Sequence, residues 1–245
     1  MRHAVLMPSF NTGPVLATTV DAVCAAWPDV FVVLDGSTDR SGDALTPRPG
    51  LRVLALPRNA GKGAAILHGL RAVDADGFTH AVTIDADGQH PAAMIPDLVA
   101  ASRARPEAMI LGVPQFGPDA PALRVGGRRI SNAWVGLETL WAGVGDSLFG
   151  FRVYPVRPLL RIMQRQPWMR RYDFDAEAAV RLCWAGVRPV NFPAPVRYLT
   201  QAEGGVTHFR YGRDNALLTW MHMRLMVEFL IRLPHLVWAR AARPR

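Results

Sequence analysis

Short apolar runs alternate with longer, helically spaced segments along the first half of the chain. Ala4–Met7, Val30–Leu34, Leu51–Leu56, His80–Ile84 and Ala108–Val113 are apolar and several are bounded by Pro, Gly or Asp, which predicts strands. Between them, apolar spacing predicts helices over Pro14–Ala26, Gly63–Val73 and Ala92–Arg103. This alternation predicts an α/β fold: a Rossmann-like, mainly parallel sheet flanked by helices on both faces. Ligands of such sheets sit at the carboxyl ends of strands, so chemistry is expected just after each one.

The second half reads differently. A Gly- and Pro-rich stretch, Gly112–Gly127, leads into a helical pattern around Ile130–Trp141. Ser147–Tyr154 predicts a short strand, Asp173–Trp184 a helix and Arg188–Phe192 a strand behind it. From Asn215 to Ala242 the pattern is helical, with a break expected near Pro234. The expected division is a catalytic domain over 1–205 and an amphipathic helical segment over 206–245, without a clean linker.

The chain has 245 residues, half of them apolar and 20% charged, which excludes disorder, collagen and coiled coil as the main class. Cys24 and Cys183 are too few for a disulfide framework and read as buried thiols in a reducing compartment. A signal peptide is not expected, because Met1-Arg2-His3 passes directly into a short apolar run and Pro8. The most apolar C-terminal stretch contains His222, Arg224 and Glu228, so a spanning helix is not expected either. The formal net charge of +8 points to anionic partners, although Lys62 is the only lysine.

The strongest chemical signal is Ile84-Asp85-Ala86-Asp87-Gly88-Gln89-His90-Pro91, directly after a predicted strand. In an extended chain Asp85, Asp87 and Gln89 would face one side and offer hard oxygen ligands to Mg²⁺ or Mn²⁺. An acidic turn is the plainer alternative. Asp35-Gly36-Ser37-Thr38 follows the second strand and Pro8-Ser9-Phe10-Asn11 the first, so adjacent strand ends offer a ring, Phe10, and a carboxylate, Asp35, to a nucleoside. In Asn59-Ala60-Gly61-Lys62-Gly63 two glycines flank the lysine at a helix start, a place that favours phosphate. The spacing is not that of a Walker A loop.

Together these four pieces resemble family 2 glycosyltransferases of the GT-A fold, over roughly residues 4–115, and within them the polyprenyl-phosphate sugar synthases. The resemblance implies a donor-nucleotide site at Pro8, Phe10, Asn11, Asp35, Ser37, Lys62, Asp85 and Ala86, and a metal at Asp85, Asp87 and Gln89. It continues with Arg124 and with Arg128-Arg129-Ile130-Ser131-Asn132, where the family holds an acceptor phosphate; bidentate Arg–phosphate bonding suits that role. Asp146 in Asp146-Ser147-Leu148-Phe149-Gly150-Phe151-Arg152 matches the family's acceptor-side carboxylate, with Arg152 as a phosphate ligand or its ion-pair partner. In Phe174-Asp175-Ala176-Glu177 the glutamate reads as structural, paired with a nearby arginine. The region from Gly204 to Pro234, including His208, resembles a narrower bacterial subgroup tied to aryl-polyene-type lipid clusters. Leu34, Phe10 and Thr12 depart from the family pattern, all where base and ribose would be read.

The expected activity is metal-dependent, inverting transfer from a UDP- or GDP-sugar to a lipid-linked acceptor. A phosphate acceptor needs only orientation, by Arg128, Arg129 and Ser131. A hydroxyl acceptor needs a base, and Asp146 is the candidate. The expected setting is cytoplasmic, peripheral on the inner face of the cytoplasmic membrane, with Asn215–Ile231 and terminal arginines lying on an anionic surface. Two other classes fit the composition less well. A nucleotidyltransferase would need a Gly-rich loop after the first strand, where Pro8-Ser9-Phe10-Asn11 stands. A basic binding module fits poorly as well, because no recognition-helix pattern marks a nucleic-acid partner.

Overall fold

A computed structural model of the chain describes residues 1–116, 122–196 and 211–242. Within them a seven-stranded sheet has the order β3-β2-β1-β4-β6-β5-β7. The strands are β1 (His3–Ser9), β2 (Val30–Asp35), β3 (Leu51–Leu56), β4 (His80–Thr83), β5 (Ala108–Gln115), β6 (Arg152–Pro155) and β7 (Arg188–Pro195). All pairings are parallel except those of β6, which runs antiparallel between β4 and β5. The segment expected to be a strand from Ser147 is irregular as far as Phe151, and only its last part enters the sheet.

The apolar runs are strands because both of their faces are covered. Side chains alternate across the pleat: Ala4, Leu6, Phe31 and Val33 face one way, Val5, Met7, Val30 and Val32 the other. On the first face they meet Ile66 and Leu70 of α2 (Lys62–Ala75), Leu159 of α5 (Val156–Arg165) and Phe174 of α6 (Phe174–Trp184). On the second face they meet Leu16 and Val20 of α1 (Val15–Ala26) and Ile95 and Leu98 of α3 (Ile95–Ala104).

Two helices complete the described fold. α4 (Ala122–Glu138) stops short of the expected Trp141, because Leu140 and Trp141 both take a φ of 53°. α7 (Tyr211–Ala241) runs through Pro234, an exposed position, without the expected break. A third small core of Val135, Ala176, Val180, Met221 and Leu225 joins α4, α6 and α7. The division expected at 205/206 lies outside the described residues. No helix among the described residues is long and apolar enough to cross a membrane. Cys24 and Cys183 are half-buried rather than buried.

Candidate active site

The carboxyl ends of β1, β2 and β4 converge with the start of α2, as the strand order requires. Lys62 Nζ lies 2.7 Å from Asp85 Oδ1 and 2.8 Å from Asp175 Oδ2. Burial opposes the charge on Lys62, but Asp175 and Asp85 outweigh it and hold the ammonium above its ordinary pKa. Lys62 in turn, with His90, holds Asp85 below the usual carboxylate range in spite of burial. Gly150 lines the same spot: a Cβ there would come within 2.7 Å of both Asp85 Oδ2 and Lys62 Nζ. The sequence reading did not single out Asp175, whose only signal was its place in Phe174-Asp175-Ala176-Glu177.

Asp85 and Asp87 are not aligned by an extended chain. β4 ends at Thr83, and Ala86 and Asp87 form a turn that Gly88 completes at a φ of 72°. The Gln89 N–H donates to Asp87 Oδ1 at 3.1 Å, a side chain closing its own turn two residues on. Burial and the neighbouring Asp85 charge push Asp87 up. That arrangement fits a divalent cation, which would relieve the repulsion between two carboxylates that Lys62, His90 and, for Asp85, Arg152 partly offset. His90 is buried, accepts the Asp85 N–H on Nδ1 at 3.2 Å, and packs against Phe149 and Phe151. Ala86 is buried beneath the turn.

The expected nucleoside residues form a stitched pair of loops. Asp35 accepts the Ala60 and Gly61 N–H groups, one on each oxygen, at 2.8 Å each, and is itself buried. It therefore holds the loop before α2, and its role toward a ribose is not the one its geometry displays. Asn11, at a φ of 45°, accepts the Thr38 N–H on Oδ1 at 2.7 Å and donates its own N–H to Ser37 Oγ at 3.1 Å. Pro8 and Phe10 are half-buried at the end of β1. The chain around Met169 and Arg170 closes on the amino end of α2. The Ala64 N–H donates to Arg170 O at 3.0 Å, and a Cβ on Gly63 would sit 2.1 Å from Met169 O. These glycines let the chain around Met169 and Arg170 approach, which is a different use from the one expected.

On the acceptor side, Arg128 Nη1 donates to Asp146 Oδ1 at 2.5 Å. The same oxygen accepts the Leu148 and Phe149 N–H groups at 2.9 and 2.8 Å. Asp146 is 2% exposed, while Arg129 is exposed. Ser131 is buried, with Ser147 Oγ at 3.0 Å and His222 Nε2 of α7 at 3.3 Å. His222 Nδ1 then meets Glu138 Oε1 at 2.9 Å. Neither His222 nor Glu138 carried a signal as a site residue, because their pairing spans 84 residues.

For Arg152 the geometry disfavours the first of the two expected roles, phosphate ligand, and keeps it beside Asp146. It is fully buried and donates to Phe149 O, Tyr154 Oη, Asp175 O and Asp146 O at 2.6–3.1 Å. It is a positioning residue that ties the Lys62 cluster to Asp146, and it cannot reach an acceptor phosphate. Glu177 is buried between Arg181 and Arg224, as the structural reading expected. Arg124, as a side chain, and His208 lie outside the described residues.

The family model for glycosyl transferase family 2 matches residues 4–158. The chain is 28% identical over 211 residues to an undecaprenyl-phosphate mannosyltransferase of Micrococcus luteus, covering 79% of this chain and 82% of that one. It is 36% identical over 110 residues to an undecaprenyl-phosphate 4-deoxy-4-formamido-L-arabinose transferase of Edwardsiella ictaluri, covering 40% of this chain and 33% of that one. Among solved structures, glucosyl-3-phosphoglycerate synthase from Mycobacterium tuberculosis, in complex with Mn²⁺, UDP-glucose and phosphoglyceric acid, superposes with a TM-score of 0.61. Its identity is 19%, over 94% of this chain and 79% of that one. S. aureus TarS in complex with UDP-GlcNAc superposes with a TM-score of 0.58 at 15% identity, over 93% of this chain and 66% of that one. With its GT-A fold and a family match over more than half its length, the chain belongs to glycosyl transferase family 2 and is a glycosyltransferase.

Proposed function

We propose that the enzyme transfers a sugar, with inversion, from a nucleotide-diphosphate donor to a lipid-linked phosphate. The state of Asp146 carries this reading. A hydroxyl acceptor needs a base that reaches its proton. Asp146 is buried, paired with Arg128 and bonded to two backbone N–H groups. A phosphate acceptor arrives already ionised and needs only orientation, which Arg128 and the exposed Arg129 supply. The two relatives named for undecaprenyl phosphate support the same class of acceptor.

In the transfer, an oxygen of the acceptor phosphate bonds to the anomeric carbon. The bond from that carbon to the donor diphosphate breaks, and the nucleoside diphosphate leaves with the electron pair. A single displacement inverts the anomeric centre. The donor is a UDP- or GDP-sugar, held by Pro8, Phe10, Asn11 and Ser37 over the loop that Asp35 braces. The UDP-sugar complexes of the structural neighbours support such a donor. Asp85, Asp87 and Gln89 would hold Mg²⁺ or Mn²⁺, and the bound ion would neutralise charge on the departing diphosphate. Lys62 keeps Asp85 ionised and fixed against Asp175. The setting proposed for this reaction is peripheral, on the inner face of the cytoplasmic membrane.

Two substitutions test the acceptor assignment. Arg128→Ala should raise the acceptor KM roughly 10–100-fold, the worth of a charge-assisted bond, with little change in donor KM. Asp146→Asn should leave kcat nearly unchanged, since the amide oxygen still accepts both N–H groups. A loss of about 10²–10⁴-fold in kcat from Asp146→Asn alone would make it a base and overturn the phosphate assignment.

A further inference from the structure

α7 is apolar on two sides. Inward, Met221 and Leu225 are buried in the core shared with α4 and α6, flanked by the ion pairs Arg224–Glu177 at 3.0 Å and Glu228–Arg181 at 2.7 Å and by a 2.9 Å hydrogen bond between His222 Nδ1 and Glu138 Oε1. Its outward side is apolar. Trp220, Met223, Val227, Leu230, Ile231 and Trp238 are all exposed, Ile231 at 77% and Trp238 at 68%. At 3.6 residues per turn these six fall within an arc of about 100°, and no charged residue between Trp220 and Trp238 shares it. An unbroken exposed stripe roughly 27 Å long exceeds what a soluble monomer ordinarily leaves bare.

The flanks continue the pattern. Trp134 of α4 stacks on His222 along one side of the stripe, and Trp168 lies under Arg224 along the other, with ring contacts of 6.0 and 4.3 Å. Five of the seven tryptophans, Trp134, Trp141, Trp168, Trp220 and Trp238, are exposed, and four of them lie on α7 or against its side chains. Tryptophan is the side chain that settles at the boundary between hydrocarbon and headgroups. Arg129, Arg213 and Arg240 are exposed as well, and Arg240 donates to Leu140 O.

We infer that the outward face of α7, between Trp220 and Trp238, is a membrane-docking face that lies flat in the bilayer interface. The occupant is a lipid bilayer because the same helix forms the wall of the acceptor site. His222, within hydrogen-bond reach of Ser131 Oγ, is followed in the chain by the exposed Met223. Seating the stripe in a bilayer would put the helix that carries His222, and with it Ser131, against the lipid surface. Because the stripe is uncharged, attachment comes mainly from apolar insertion, with the exposed arginines outside it adding a salt-sensitive part. The inference rests on the lipid-linked acceptor proposed above.

The test uses the full chain with vesicles of phosphatidylcholine alone and with one-third phosphatidylglycerol, read by flotation and by tryptophan quenching with brominated lipid. Val227→Ser/Ile231→Ser removes part of the stripe at exposed positions, and Val53→Ser, exposed on β3, is the control. The wild type and Val53→Ser should float with both vesicles, be quenched, and keep most of their binding at 0.5 M salt. The double variant, with an unchanged melting temperature, should bind at least tenfold more weakly while keeping transfer to a short, water-soluble prenyl phosphate. Wild type left unbound by both vesicles, or a double variant that binds as tightly, overturns the inference. So does a wild-type dimer in vesicle-free light scattering that the double variant makes monomeric. Vesicle binding without transfer to any prenyl phosphate would leave the docking face standing and sink the acceptor reading. Transfer without vesicle binding would do the reverse.

Discussion

Arg152 spends its guanidinium on protein oxygens: three backbone carbonyls and the Tyr154 hydroxyl. Burial and the nearby Arg152 act in opposite directions on Tyr154, and burial wins, pushing the phenol up to about 12. The arginine thus anchors the backbone at Asp146 and Asp175, one from each half of the site. Asp87 is the contrasting case, a half-buried carboxylate whose hydrogen bond in the structure closes its own turn. Asp87→Ala should lower transfer by about 10²–10³-fold, the scale of losing one preorganised charge-stabilising group. It should cost no more than about 1.5 kcal/mol of stability, the worth of one net hydrogen bond. Turnover equal to wild type in chelator-treated buffer would remove Asp87 from the metal site. Motif spacing singled out Asp85 and Lys62, which the structure brings to 2.7 Å of one another, because each stands in a short local motif. Arg152, Asp175, His222 and Glu138 were not readable as they stand, because each acts through a partner distant in sequence.

At the level of elements, α2 and the sheet edge make opposite demands on small changes. Gly63→Ala should stabilise by about 1 kcal/mol if helix propensity alone decided. The Cβ would instead collide with Met169 O at 2.1 Å, so the variant should lose about 1–3 kcal/mol, as overpacked sites do. A rise in the urea midpoint would contradict the close approach of the Met169 loop. At the amino ends of β1 and β4, His3 and His80 stack with ring centroids 4.9 Å apart, and His3 Nε2 pairs with Ser102 Oγ. Burial, then His80, Arg103 and the chain amino terminus, push His3 down to about 4 from 6.5. The folded chain therefore keeps His3 neutral where the unfolded chain would protonate it. That contribution is complete above pH 6.5 and is lost as pH falls toward 4. Urea unfolding at pH 7.5 and 4.5 should show a larger loss for the wild type than for His3→Gln; equal losses would contradict the assignment.

Across the whole molecule, the alternation of strands and helices foretold the parallel half of the sheet, because strands covered on both faces must be continuous apolar runs. It did not foretell that β6 runs antiparallel between β4 and β5, since the helical pattern of the connecting segment does not fix the direction in which the next strand enters the sheet. Nor did α7 declare which side faces inward: a helix that buries Met221 and Leu225 yet leaves Val227 and Ile231 exposed blurs the periodicity that separates core from solvent. The resulting molecule sets the Lys62–Asp85–Asp175 cluster and the Arg128–Asp146 pair around one buried Arg152, with α7 packed beside Ser131. The central claim is that this assembly glycosylates a lipid phosphate. Radiolabelled UDP- and GDP-sugars should be incubated with the enzyme, Mn²⁺ and either undecaprenyl phosphate or undecaprenol, and the extracted lipid then treated with mild acid. Label entering the lipid fraction only with the phosphate, and released by mild acid as free sugar, is the predicted result. Label on undecaprenol, or an acid-stable product, would contradict it.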